Sequence, residues 1–364
     1  MDQTHSASIG ELVMCASNGK DYKVRDVIDA ALFRNEVASI WKQFLVRVKA
    51  TERAEEMELE LDNDTIDAAA EAFRYNHDLI TAEETEQWLD ARSISLADFT
   101  DYFVRQYWPS AVDEQIEPDD IDFVAASPEL RELFTAELLL SGELYPLNTR
   151  LTWRLAALAT TGESNLDPDG IPAERRAFLD RTRINESKLK NWLAQLDRDE
   201  KWLDEMLALE TAYQNLCEQA LTPQARQKQL AKLHMPLTQF EVEVLELDSA
   251  EAAKEALLCI RQDGMSMEEV AAEARYPYRR ITFLHQAVPE ELKQRFWSAT
   301  VGEVLDPLPR GEGFELYRIT RKIEPNPTDS EVQQRVDEHL LEQQFTALAS
   351  KHVEMRLDAP ILSE

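Results

Sequence analysis

The residues whose types and spacing suggest chemistry are two glutamates and a row of large apolar side chains. Val288, Leu292 and Phe296 stand at i, i+4 and i+8, the spacing that puts three residues on one helix face. Strand-like segments before and after them carry Glu243, Phe283, Glu315 and Tyr317. If Glu243 and Glu315 share one face of adjacent strands, they form an acidic spot beside an apolar groove. A proline-containing or basic peptide could dock there, or extend the edge of the sheet by strand addition. The alternative is that Val288, Leu292 and Phe296 simply pack on the sheet as core. The candidate peptide-binding set is therefore Glu243, Phe283, Val288, Leu292, Phe296, Glu315 and Tyr317, with no catalytic residue and no metal ligand assigned.

Other chemistries find less support. His339 and Glu342 lie one helical turn apart, but the chain has no His-Glu-x-x-His and no paired cysteines, so they read as a solvated helix face. There is no Gly-x-Ser-x-Gly and no histidine near a cysteine in sequence, although proximity in space stays open. Gly311-Glu312-Gly313 is followed by a strand and includes an acid, so it reads as a turn and not a phosphate loop. Cys15, Cys217 and Cys259 are odd in number and far apart, which suits thiols in a reducing compartment. No cofactor is expected.

These residues need elements to hold them, and 237–325 supplies a β-α-β-α-β order. Phe240, Val242 and Val244 alternate as a half-buried strand requires. Ser249 caps a following helix that Asp263-Gly264 ends, and a short second helix over 267–274 stops before Tyr276-Pro277. A strand over 280–284, a helix over 289–299 with Pro289 at its first position, and a strand over 313–320 complete the segment.

The rest reads as helix. Apolar residues recur at helical spacing over 25–49, 51–61 is an acidic helix or connector, and Asp64-Thr65 caps a helix to Asn76. Thr81 to Glu84 is a capping box, and Ser95 caps a helix reaching Trp108. A loop over 110–125 precedes helices over 127–140 and 144–158. A Gly/Asp/Pro loop over 160–172 then leads to helices over 173–181, 186–196 and 199–221, and Thr222-Pro223 opens one more. Trp88-Leu89, Phe99 and Phe103 share their offsets with Trp192-Leu193, Leu203 and Leu207, through duplication or coincidence. A last helix over 329–352 has an apolar stripe that needs a partner, and the helices around 27–45 are the expected one.

The chain has 364 residues, 44% hydrophobic and 30% charged, with only nine glycines, as in a folded, helix-rich soluble protein of two or three domains. Its net charge of −31 argues against nucleic acid, whose phosphates it would repel. That charge suits a basic or neutral polypeptide partner, or serves solubility alone. Residues 1–22 carry no basic leader, and the apolar run at 12–16 is too short for a signal peptide or a membrane span. The expected location is cytoplasmic, without membrane insertion.

Gly302-Glu303-Val304 and Gly313-Phe314 stand in an order that resembles the end of the parvulin-type peptidyl-prolyl isomerase domain. By that resemblance the family's final-strand histidine falls on Glu315. Its first-strand histidine falls on Glu243 by strand alternation, or on Leu245 by ungapped alignment from Gly264. Its pocket Met and Phe fall on Val288 and Leu292, and its acidic or cysteine-bearing loop shrinks to 275–279. Over 25–108 the helices, with Ile94-Ser95-Leu96-Ala97-Asp98-Phe99, resemble the N-terminal domain of SurA-type chaperones. The combination resembles PpiC/SurA-related peptide maturation proteins, which sit beside machinery that modifies or exports ribosomally made peptides.

The expected fold is α+β and mostly α: a flexible N-terminus (1–22), a SurA-N-like helical domain (23–145), a second helical segment (146–235), a degenerate parvulin-like domain (236–325), and a C-terminal helix returning to the helical body (326–364). The expected function is a peptide-binding chaperone or maturation partner with a degenerate, non-catalytic parvulin-like domain, for an unfolded or precursor peptide. An active isomerase with an altered pocket and a helical scaffold subunit are the alternatives. Oligomeric state is not readable.

Overall fold

A computed structural model describes residues 8–112 and 116–357. Among them are seven strands: β1 (Val13–Ser17), β2 (Lys20–Lys23), β3 (Gln239–Leu247), β4 (Tyr278–Leu284), β5 (Leu308–Arg310), β6 (Gly313–Ile323) and β7 (Val353–Met355). The fold is α+β and mostly helical. The described residues form two compact units. One runs to Cys217 and resumes at Gln344, and the other is Glu218–Gln343. The second unit begins inside what the sequence reading gave to helical segment 146–235.

The first unit is helical with a small sheet of order β2-β1-β7. Asn18 and Gly19 join β1 to β2 with φ of 51° and 77°. Positive φ at both central residues is what a tight hairpin with the right twist demands, and Asn-Gly supplies it at little cost. Met14 and Cys15 are fully buried. The expected flexible N-terminus is therefore corrected from Ile9 onward, where a 3-10 turn (Ile9–Glu11) leads into the hairpin; residues 1–7 lie outside the described set.

The periodic stretch over 25–49 is two helices, Val24–Phe33 and Ala38–Glu56, broken where Asn35 turns to φ 58°. Asp62, not Asp64, caps Asn63–Asn76. The Thr81–Glu84 capping box forms as read, and Ser95 caps its helix as read, in a box completed by Asp98. Phe33 stacks on Phe178 at 4.6 Å, while Trp41 meets Phe123 and Phe134 edge-on at 5.2 and 5.1 Å. The two offset-matched pieces share a form. Helices Ala82–Asp90 and Leu96–Ala111 flank a left-handed Ser93, and Glu186–Gln195 and Glu200–Ala220 flank a left-handed Asp197.

The chain returns to this unit at its far end. Helix Ser330–His352 leads directly into β7, whose Val353, Glu354 and Met355 pair antiparallel with Ser17, Ala16 and Cys15. Within the unit Phe345 is buried between Trp153, at 5.9 Å, and Tyr213, at 4.6 Å. The partners are thus helices Leu144–Thr161 and Glu200–Ala220, not the expected 27–45. In the second unit Val332, Val336 and Leu340 of the same long helix pack on Leu230, Leu233 and Leu237.

That second unit is built on an antiparallel sheet of order β4-β3-β6-β5. Phe240, Val242 and Val244 share one face with Tyr317 and Ile319, and Val288, Phe296, Ala299 and Leu305 cover it. Leu245, Leu247 and Leu316 point the other way, under helices Ala250–Arg261 and Met267–Ala274. Gly313 opens β6 because a Cβ there would meet the Leu247 carbonyl oxygen at 2.5 Å. The three-residue β5, absent from the sequence reading, pairs with β6 across Gly311.

Candidate functional site

Register decides where the two glutamates point. Residues directly opposite across an antiparallel pair share a face, and neighbours along a strand alternate. Glu243 stands opposite Arg318, whereas Glu315 stands opposite Glu246, three positions along β3 from Glu243. An odd separation puts Glu243 and Glu315 on opposite faces of the sheet. The expectation of one shared acidic spot is corrected on this ground. Leu245, the other position assigned to a family histidine, is also on the face away from Glu315.

Both carboxylates are buried and already engaged. Glu315 is 4% exposed and accepts a hydrogen bond from Arg279 Nη2 at 2.8 Å. The Tyr317 hydroxyl donates to its other oxygen, and Arg310 Nε lies 3.5 Å away. Burial, with the neighbouring Glu315 carboxylate, pushes Tyr317 up to about 12, so it stays a donor. Glu243, also 4% exposed, accepts from the Tyr278 hydroxyl at 2.8 Å and pairs with Arg318 and Arg280. Consecutive residues of β4 thus serve opposite faces, Arg279 reaching Glu315 and Arg280 reaching Glu243. Neither glutamate is a bare negative charge beside a groove.

The apolar residues do come together. Helix Glu290–Ser298 has Pro289 as its N-cap, so Val288 enters from the extended residue before it and not from the helix. Phe296 is 2% exposed and stands edge-on to Phe240, Phe283 and Tyr317 at 6.0, 5.5 and 5.3 Å. Val288, Phe296 and Tyr317 are therefore core. Phe283 and Leu292 are only half-buried, as are Ile281 and Trp297 beside them. Of the candidate set, Phe283 and Leu292 are the members left with surface to offer.

Strand β4 holds what the sequence reading missed. Tyr278 and Arg279 were placed in a shortened loop, yet they pair with Leu245 and Val244 in the sheet. Among the described residues β4 pairs with β3 alone, which leaves its outer edge open. The signal for a longer strand was present in Tyr278-Arg279-Arg280-Ile281-Thr282-Phe283, where Ile281 and Phe283 alternate with Thr282 and Tyr278 extends the β-forming run.

No group of three or more His, Cys, Asp or Glu able to hold a metal ion occurs among the described residues, and none of their helices is long and apolar enough to cross a membrane. No protein-family model matches the sequence, and no curated protein does. Solved structures do. A PrsA peptidylprolyl isomerase from Bacillus anthracis is 16% identical, covers 54% of this chain and 92% of its own, and has a TM-score of 0.28. The PrsA isomerase of Bacillus cereus is 12% identical, with coverages of 60% and 85% and a TM-score of 0.34. A SurA-like chaperone of Campylobacter jejuni is 11% identical, with coverages of 60% and 89% and a TM-score of 0.20. These three structures match parts of this chain at 11–16% identity. Glu315, where the sequence resemblance to the parvulin domain sets a histidine, stands across from Glu246, and Arg279 Nε lies 3.1 Å from the Glu246 carboxylate.

Proposed function

We propose that this chain is a peptide-binding chaperone or maturation partner that holds an extended client segment along the outer edge of β4. One observation carries the reading: a seven-residue strand with an open edge, bordered by half-buried Ile281, Phe283, Leu292 and Trp297. Unpaired N–H and C=O groups along an edge form a template for another strand. Main-chain hydrogen bonds then give affinity, and alternate side chains give selectivity. The other edge, β5, is three residues long and contains Pro309, so it offers no comparable template. The family resemblance supports an unfolded or precursor peptide as client, beside machinery that modifies or exports it.

The experiment is fluorescence anisotropy of labelled extended peptides with the full chain. Burying half of a large apolar side chain contributes on the order of 1 kcal/mol. Phe283→Ala and Leu292→Ala are each expected to weaken binding about fivefold while the chain stays folded, with the melting midpoint lowered by only several degrees. Co-purification with a folded enzyme, and no peptide binding at all, would instead establish the scaffold reading.

We infer further that the unit does not isomerise prolines. The imide barrier is about 18–20 kcal/mol, and lowering it requires polar groups free to act on the twisted bond. At this position the carboxylate of Glu315 is itself committed, to Arg279, Arg310 and Tyr317. A proline tetrapeptide should isomerise at its uncatalysed rate in the presence of the chain. Acceleration typical of parvulins would overturn this part of the reading.

A further inference from the structure

We propose that the segment taken up along β4 carries two consecutive acidic residues next to alternating apolar ones, the acids standing opposite Arg279 and Arg280. The proposal rests on the peptide-binding reading and specifies the client of that same edge. Arg279, Ile281 and Phe283 lie on one face of the sheet, and Arg280 and Thr282 lie on the other. An antiparallel client would therefore read apolar-x-apolar-acidic-acidic, and a parallel one acidic-acidic-apolar-x-apolar.

The accessible charge decides the sign. The side chains of Glu243 and Glu315 are 5% and 6% exposed, against 44% for Arg279 and 68% for Arg280. A strand laid beside β4 meets guanidinium groups and not those carboxylates. Arg279 is engaged through Nη2 with Glu315 and through Nε with Glu246. Arg280 donates through Nε to Tyr278 and through Nη2 to Glu268, at 3.4 Å, the distance at which Nη2 also stands from Glu243. A guanidinium has five donors in a planar fork, so each arginine retains N–H groups for an incoming carboxylate.

Glu246 and Glu268 are the exposed anions nearby, 42% and 67% accessible, and each is already paired with one of the two arginines. The chain's net charge of −31 opposes an acidic client at a distance. That field is screened beyond about 8 Å at physiological ionic strength, so the groups in contact set the preference. A basic pair would place like charges directly opposite, which is unfavourable between strands.

The test uses three labelled peptides of one apolar alternation, bearing Glu-Glu, Gln-Gln or Lys-Lys at the paired positions. With the full chain, the Glu-Glu peptide should bind about three- to tenfold tighter than Gln-Gln, with Lys-Lys weakest and the gap narrowing in salt. Arg280→Glu, at an exposed position checked by melting, should largely erase the difference between Glu-Glu and Lys-Lys, because each then has one favourable and one unfavourable pair. Equal affinities for all three, or an undiminished gap in the variant, sink the acidic register and leave peptide binding standing. Failure of all three to bind sinks both. A dimer through β4 that no peptide displaces shows that a second copy covers the edge, and also overturns the proposal.

Discussion

Arg154→Ala should destabilise the helical unit by about 3–5 kcal/mol, the range for removing one partner of a buried ion pair. Arg154 and Glu210 are 8% and 7% exposed, on helices Leu144–Thr161 and Glu200–Ala220. They meet side by side, Nε to Oε2 at 2.5 Å and Nη2 to Oε1 at 3.0 Å, and the guanidinium also lies 4.1 Å from the centre of the Tyr213 ring. Alanine removes the arginine and strands the Glu210 carboxylate in a site with little water. Arg154→Met combined with Glu210→Leu should recover most of the loss, because neither charge is then left alone. Chemical denaturation, followed by hydrogen exchange in each unit, separates the outcomes. A loss below about 1 kcal/mol in the single variant would mean that water reaches Glu210.

The second large effect is expected in the other unit. Phe296→Ala should cost about 3–5 kcal/mol, as large-to-small changes of buried aromatics do. Its ring touches three other aromatic rings across one sheet face, and a methyl group would leave that space empty. Leu292→Ala, half-buried on the same helix, should cost about 1 kcal/mol. Loss of peptide binding in Phe296→Ala would therefore come with unfolding, whereas loss in Leu292→Ala should not. If Phe296→Ala melts like wild type and still loses the peptide, Phe296 acts as a binding residue after all.

Local signals carried much of this fold. Thr81 with Glu84 and Ser95 with Asp98 announce helix starts within four residues, and each forms its cap. Phe240, Val242 and Val244 show their shared face by alternation alone. Non-local pairing was harder to read. Alternation within β3 and within β6 cannot say which residue of one stands opposite which of the other. That register includes an irregularity between Glu241 and Val242, and it separates Glu243 from Glu315. The N-terminal hairpin was overlooked for a different reason. Val13–Ser17 is short, and its Asn18-Gly19 turn signal was not set against a strand on each side. Arg279 and Arg280 were legible as charge but not as edge residues, since an edge exists only once the sheet order is known.

The pairing of β7 with β1 has a consequence for synthesis. The ribosome makes residues 13–17 early and 353–355 some 340 residues later, and only then can the small sheet acquire its third strand. At about 5–20 residues per second, one side of β1 waits roughly 20–70 seconds for its partner. The inserted unit is contiguous in the chain and complete at Gln343, ten residues before β7, so it can fold before the surrounding unit closes. A nascent chain ending at residue 343 and tethered to the ribosome by an added linker that spans the exit tunnel should therefore hold a protease-resistant Glu218–Gln343 unit, while β1 still has an open flank for a holding chaperone to cover.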